Sequence, residues 1–313
     1  MSSFPATNAR MGSVAVMKVA ITGSSGLIGT ALRRSLEADG HEVVRLVRRP
    51  AAASDEVQWD PASGDIDGSL LEGCRAGVNL AGVGFGDKRW TDSYKKLILD
   101  SRIDSTDVFS AALAEAGASA LVSASAVGYY GDQGERKLTE TDPPGEDYPA
   151  QVCVAWEAAT APAATGGLRV SHIRTGLVMG KEASLLKRLV LPFKLGVGGR
   201  IGTGKQYWSW IDIADEVAAI RFLLERDDLS GPFNLTAPNP VQFDEVASTL
   251  GRILRRPTFL PVPTFAMKVL FGAERAESIV LAGQRVLPDR LLNAGFEFAY
   301  SDLEASLRHQ LGG

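Results

Sequence analysis

The chain has 313 residues, 45% of them hydrophobic and 22% charged, with a formal net charge of −4 and a pI near 5.6. Such a chain builds a sizeable core with a smaller appended unit, which excludes a disordered polymer and a membrane resident, and its acidic balance gives no electrostatic reason to expect nucleic acid or anionic lipid as a partner. The two cysteines, Cys74 and Cys153, stand far apart and outside any metal-ligand spacing, so no disulfide framework or metal site is expected, and a reducing cytoplasmic location fits.

Met1 to Val16 lack the basic-then-apolar layout of a secretory signal, and no uncharged apolar run is long enough to span a bilayer. Residues 1–16 read as a flexible tail, with Met11 or Met17 as alternative natural starts. The apolar run Lys18 to Thr22 then predicts a strand that ends in Gly23-Ser24-Ser25-Gly26 and opens into an amphipathic helix through Leu27, Ile28 and Gly29. Glycines at 23, 26 and 29 suit a phosphate cradle. The first makes the tight turn, the second lets backbone approach a pyrophosphate at the helix N-terminus, and the third lets helix pack on strand.

Glu42 to Val47 predicts a second strand, and Gln58 to Gly68 reads as turn-rich. A short buried strand follows at 76–82, a long helix from Trp90 to Leu113 with Gly117 as its stop, and a strand from Ala120 to Val127 whose small residues admit a close neighbour. Helix at 152–164, strand at 169–178 and helix at 184–193 continue an alternation that predicts an α/β fold, a doubly wound parallel sheet of the Rossmann kind. Past residue 231 the prolines multiply. The expected organisation is a dinucleotide-binding domain over 17–230 and a small mixed C-terminal domain over 231–313, with 181–210 lining the cleft between them. Helices are expected there at 243–254, at 265–286 and at the C-terminus.

An acid at the end of the second strand binds a ribose 2′-hydroxyl, whereas an arginine there accommodates a 2′-phosphate. Here Val47 is followed by Arg48 and Arg49, so NADP(H) is favoured over NAD(H), with Arg48 the better placed phosphate partner.

Taken together, Thr22-Gly23-x-x-Gly26-x-x-Gly29, Asn79-Leu80-Ala81-Gly82, the run from Ser123 to Gly131, Arg174-x-Gly176-x-Val178-x-Gly180 and Ser209-Trp210-Ile211-Asp212 resemble an extended short-chain dehydrogenase/reductase. The likeness is greatest to the atypical "epimerase family protein" group, which carries nucleoside-diphosphate-sugar epimerase or SulA-like labels and a small C-terminal domain of unknown function. It runs from Met17 to the C-terminus. The resemblance implies that Asn79, Leu80, Ala81 and Gly82 line the cofactor, joined by Ser123, Ala124 and Arg174, and that Arg102 reaches cofactor phosphate or ribose from the long helix or else forms a surface salt bridge. It also implies substrate contact by Arg89, Trp90, Gln206 and Trp210, with Lys88, Trp208 and Arg285 beside the same cleft, and a homodimer through the long helix and its neighbour.

Members of the superfamily use a serine or threonine with a tyrosine and lysine spaced Y-x-x-x-K. Ser125 suits the first role, but counting back from Glu157 puts Cys153 at the lysine position and Pro149 at the tyrosine position, with Tyr148 out of register. A neutral cysteine cannot lower a phenol's pKa, so Tyr129 and Tyr130 are the substitute proton donors. Two readings stay open: an NADP(H)-dependent oxidoreductase, epimerase or dehydratase acting on a nucleotide sugar or other small polar metabolite, and an NADP(H)-binding regulatory module with little or no turnover.

Overall fold

The computed structural model describes residues 16–258 and 261–312. Apart from Val16, the expected N-terminal tail lies outside the described residues, as does the alternative start at Met11. The chain opens with β1 (Lys18–Thr22), α1 (Leu27–Ala38), β2 (Glu42–Val47), β3 (Glu56–Asp60) and the short β4 (Asp65–Ile66). β5 (Ala76–Asn79), the long α2 (Asp92–Glu115), β6 (Ala120–Ala126), β7 (Lys137–Leu138), α3 (Tyr148–Ala158), α4 (Ala161–Thr165) and β8 (Arg169–Thr175) come next. Then follow β9 (Leu177–Met179), α5 (Ser184–Lys194), β10 (Tyr207–Trp208), β11 (Trp210–Asp212), α6 (Ile213–Glu225) and β12 (Gly231–Leu235). The chain closes with β13 (Val241–Gln242), α7 (Phe243–Leu254), α8 (Thr264–Phe271), α9 (Ala273–Arg275), β14 (Arg285–Val286), α10 (Asp289–Asn293) and α11 (Leu303–Leu311).

The central sheet has the order β12-β8-β6-β5-β1-β2-β3-β4 and is parallel throughout except for the β3–β4 pair. Both faces of its middle strands are covered. Alternation along β1 puts Val19 and Ile21 in a core with Leu32 and Leu36 of α1 and Ile220 of α6, while Ala20 joins Phe109 and Leu113 of α2 on the opposite face. Strand order reverses at β1, so a crevice opens at the C-terminal ends of β1, β2 and β5, where ligands of such sheets bind.

Three expectations change. The stretch read as turn-rich from Gln58 begins inside β3, whose Val57 and Trp59 are buried while its other residues are polar, and that alternation marks a strand near the sheet edge. The helix expected over 265–286 is broken at Gly272, whose φ of +87° leaves the helical region. The residue 231 boundary cuts through the sheet, because β12 pairs with β8 from Gly231 to Leu235 and Phe233 is fully buried in the main core.

A second core joins Leu186, Val190 and Phe193 of α5 with Trp208 and Trp210, Phe243 and Leu250 of α7, and Leu307 of α11. Buried carboxylates hold the C-terminal residues to α6. Asp212, the N-cap of α6, accepts from Ser306 Oγ at 2.6 Å and Gln310 Nε2 at 3.0 Å, and Asp215 accepts from the backbone N–H groups of Ala299 and Tyr300. Asp212 is therefore an anchor and has no exposed surface for a substrate. Among the described residues no helix is long and apolar enough to cross a membrane, and no group of three His, Cys, Asp or Glu could hold a metal ion.

Candidate cofactor and active site

The turn after β1 is built by exclusion. At Gly23, with φ +64°, a Cβ would lie 2.6 Å from the Leu80 carbonyl oxygen, so the turn can press against the end of β5 only as glycine. At Gly29 a Cβ would stand 2.3 Å from the Gly23 carbonyl oxygen, which is why α1 can close onto the turn. Gly26 differs. Its Cβ would meet only Gly23 O, at 3.3 Å, with open space elsewhere, and it caps α1 with no side-chain acceptor and no acid in the first turn. The first N–H groups of α1 thus face an approach that a phosphate can use, and the helix dipole favours its charge. Ser24 is buried and Ser25 exposed, while Leu27 and Ile28 turn inward to the second and the main core. These residues fit the pyrophosphate of a dinucleotide.

At the end of β2 the two arginines part. Arg49 clasps Glu56 through Nη2–Oε1 and Nη1–Oε2 contacts of 2.6 and 2.8 Å, and Arg45 Nη1 reaches the same carboxylate at 2.9 Å. The Arg49 guanidinium and the Ala52 N–H hold the Glu56 carboxyl down at about 2. Arg48 is exposed and has no hydrogen-bond or ion-pair partner among the described residues, so its charge stays available beside the glycine turn.

The end of β5 is shaped from within. Asn79 is fully buried, accepting from Thr22 Oγ1 at 2.6 Å and donating to Thr106 Oγ1 at 2.7 Å, while Leu80 and Ala81 donate their N–H groups to Thr22 Oγ1. Asn79 and the equally buried Ser123 therefore set the loop's path rather than touch a ligand, and Ala124 is nearly buried. Of the residues expected here, Leu80, Ala81 and Gly82 keep exposed surface. Arg102 lies below this loop, 6% exposed, its guanidinium carbon 4.6 Å from the Phe85 ring centre and 4.7 Å from that of Trp156. It is not a surface salt bridge. Nη1 donates to the carbonyls of Val83 and Ile98, and Nε is buried with no partner.

At the end of β6, the Ser125 hydroxyl donates to Glu157 Oε1 at 2.7 Å. Arg174 grips the same carboxylate through Nε–Oε1 and Nη2–Oε2 bonds of 2.9 and 3.0 Å and is 3% exposed, so it holds Glu157 rather than a cofactor. The turn at Gly128 packs on Pro149 and Cys153 of α3, the two positions counted from the sequence. Burial pushes the Cys153 thiol up to about 12, which removes it as a nucleophile. Tyr148 packs its ring against Phe85 and Trp90 and donates its hydroxyl to the Lys95 carbonyl on α2 at 2.6 Å.

Tyr130 is the main correction. It has no exposed surface, donates to Asn234 Oδ1 at 2.7 Å and accepts from Arg174 Nη1 at 3.0 Å, and burial pushes its phenol up to about 12. It is a core side chain and no proton donor to a substrate. Tyr129 is half-buried with Arg174 stacked 3.4 Å from its ring centre.

The substrate candidates also divide. Arg89 is exposed, and Trp90 is half-buried, its Nε1 donating to Phe85 O while its ring stands edge-on to Phe85 and Tyr148. Gln206 bonds its own loop at Ile201 O, and Arg285 is half-buried over the Tyr207 ring. Trp210 is fully buried with Nε1 on Asn239 O, and Trp208 lies in the same core, so neither meets a substrate. Sequence reading missed Arg188 of α5 and Arg275 of α9, which converge on the Gly86 carbonyl at 3.3 and 2.9 Å. No local motif marks them, since they come from helices far apart in the chain. Glu157 was used as a counting mark and not as a functional group.

Residues 19–235 match the NAD dependent epimerase/dehydratase family, and residues 262–310 match a domain of unknown function, DUF1731. "Epimerase family protein Mb2239" of Mycobacterium bovis is 46% identical over 289 residues, covering 92% of this chain and 96% of that protein. The crystal structure of human epimerase family protein SDR39U1 (isoform 2) with NADPH superposes with a TM-score of 0.86 at 33% identity, over 95% of this chain and all of that one. A nucleoside-diphosphate sugar epimerase from Corynebacterium glutamicum gives 0.79 at 36% identity, over 95% of this chain and 59% of the other. With its glycine cradle, its parallel sheet and these matches, the chain belongs to the NAD dependent epimerase/dehydratase family and has that family's NAD(P)-binding fold.

Proposed function

We propose that this protein binds NADP(H) in preference to NAD(H) and exchanges hydride with a hydroxyl or carbonyl of an anionic polar metabolite of the nucleotide-sugar class. The observation that carries the cofactor reading is the unpartnered Arg48 beside the open Gly26 turn, with Arg49 already neutralised by Glu56. The NADPH in the similar human structure supports it. The anionic substrate is supported by Arg188 and Arg275, which lie side by side with no carboxylate partner among the described residues.

NADP(H), when bound, supplies or takes the hydride. Ser125 and Glu157 handle the proton. During alcohol oxidation the substrate proton passes to Ser125 Oγ while the serine's own proton passes to Glu157 Oε1, and carbonyl reduction runs the same relay backwards. Arg174 keeps the carboxylate aimed at the serine.

The test is single turnover with 4-pro-R- or 4-pro-S-deuterated NADPH over a pool of nucleotide sugars and small carbonyl compounds, read by mass spectrometry. Deuterium in one substrate class, lost in Ser125→Ala, is the expected result. Burial of Pro149 and Cys153 at the tyrosine and lysine positions favours a second reading, an NADP(H)-binding regulatory module. Tight NADPH binding without transfer across the pool would select it.

A further inference from the structure

The guanidinium of Arg102 is a buried charge that neither the fold nor the proton relay accounts for. It is 6% exposed, and no carboxylate pairs with it among the described residues. The ionisable groups near it are Cys153, Tyr148 and Tyr94, a thiol and two phenols that are neutral at pH 7. Burial pushes the guanidinium down to about 10, which leaves it protonated at neutral pH. Nη1 spends its bonds on two backbone carbonyls and the buried Nε has none. An uncompensated buried cation is expensive for a fold and projects its field through a medium of low dielectric constant.

The direction of that field follows from the topology. A Cβ on Gly82 would lie 3.2 Å from the guanidinium carbon, so Arg102 sits against the loop after β5, which borders the crevice at the C-terminal ends of β1 and β5. A dinucleotide with its diphosphate on the glycine turn and its adenosine ribose at Arg48 on the β2 side must extend its other half across β1, over β5 and β6. That half carries the nicotinamide. The oxidised ring bears a positive charge and the reduced ring is neutral.

Resting on the NADP(H) reading above, we propose that Arg102 is a redox-biasing cation: it disfavours the charged nicotinamide of NADP⁺ and so makes the protein hold NADPH more tightly than NADP⁺. At an effective dielectric constant of 20, two unit charges about 8 Å apart shift a binding ratio by roughly thirtyfold. The bias favours loading with the reduced cofactor, as a reductase or a sensor of the NADPH/NADP⁺ ratio requires. It also gives a reason for a buried arginine next to Cys153, because the lysine charge missing from α3 is replaced by one from α2.

The experiment measures dissociation constants of NADPH, NADP⁺ and 2′,5′-ADP for the full-length protein and for Arg102→Met, Arg102→Gln and Arg102→Lys, with a melting curve for each. The wild type is expected to prefer NADPH over NADP⁺ by at least roughly tenfold, about 30 mV for a two-electron couple. Arg102→Met and Arg102→Gln are expected to bring the ratio to within about threefold of unity, Arg102→Lys to retain most of it, and 2′,5′-ADP, which has no nicotinamide, to bind all four alike. A wild-type ratio near one overturns the proposal even if no variant folds, and so does a ratio unchanged in a folded Arg102→Met protein. Failure of the wild type to bind any of the three ligands instead overturns the cofactor reading.

Discussion

The Ser125 hydroxyl and the Glu157 carboxylate stand 2.7 Å apart, joined by a hydrogen bond from the end of β6 to the third turn of α3. Glu157 lies one helical turn beyond Cys153, so the bond runs past the position that the sequence register assigns to the superfamily's lysine. In this chain the serine's acceptor is a carboxylate fixed by a buried arginine, and among the described residues no phenol hydrogen-bonds to either group.

Ser125→Ala and Glu157→Ala separate chemistry from stability. The first removes one hydrogen bond, worth about 1 kcal/mol, and should leave the melting temperature within a few degrees while hydride transfer falls on the order of a hundredfold or more. The second strands Arg174, and breaking a buried pair costs about 3–5 kcal/mol, which lowers the melting temperature on the order of 10 °C. Equal melting curves for the two variants would contradict the assignment of Glu157 to Arg174.

Tyr130→Phe tests whether the buried phenol is structural. Loss of a phenol bonded to Asn234 and Arg174 should lower stability by about 1–3 kcal/mol in denaturant titration, with deuterium transfer from NADPH retained per folded molecule. Abolished transfer in a fully folded Tyr130→Phe protein would restore the phenol as proton donor.

The glycines of the β1 turn should respond differently to alanine. Gly29→Ala drives a Cβ to 2.3 Å from backbone and should destabilise or unfold the protein. In Gly26→Ala the only close atom is 3.3 Å away, so the fold should survive while NADPH affinity drops on the order of tenfold or more, measured by calorimetry. Undiminished NADPH binding in Gly26→Ala would argue against phosphate at this turn.

Arg48→Ala should reduce NADPH affinity far more than NADH affinity, whereas Arg49→Ala, whose charge already belongs to Glu56, should change their ratio little. Side-by-side titration of both cofactors decides it, and an equal loss of both in Arg48→Ala would remove the 2′-phosphate assignment. With its folded-state carboxyl held at about 2, Glu56 contributes stability above its unfolded value of 4.5, and that contribution is lost as pH falls towards 2.

Glu216 predicts an opposite pH dependence. It is fully buried with one bond, from Thr175 Oγ1 at 2.8 Å, and Oε2 has no partner, so burial pushes its carboxyl up to about 8. The folded state binds the proton more tightly than the unfolded one, so this group's contribution is full below pH 4.5 and declines as pH rises towards 8. Glu216→Gln should flatten the fall in melting temperature between pH 5 and pH 8; a slope unchanged in the variant would assign the dependence elsewhere.

The Rossmann frame, the glycine cradle and the missing tyrosine and lysine were legible in the chain because each depends on residues near in sequence: apolar runs of strand length, glycines three apart, a register counted along one helix. What lay beyond reach depends on which distant side chains share a place. Arg48 and Arg49 look alike until Glu56 of the neighbouring strand takes one of them, and Tyr129 and Tyr130 look alike until Asn234 and Arg174 bury the second. Likewise Arg102 reads as a surface or cofactor residue until Phe85 and Trp156 enclose it without a counter-charge. Local pattern governs backbone conformation because it acts through neighbouring dihedrals and period, whereas burial and charge pairing are decided by long-range packing, and it is those that assign a polar side chain to structure or to chemistry.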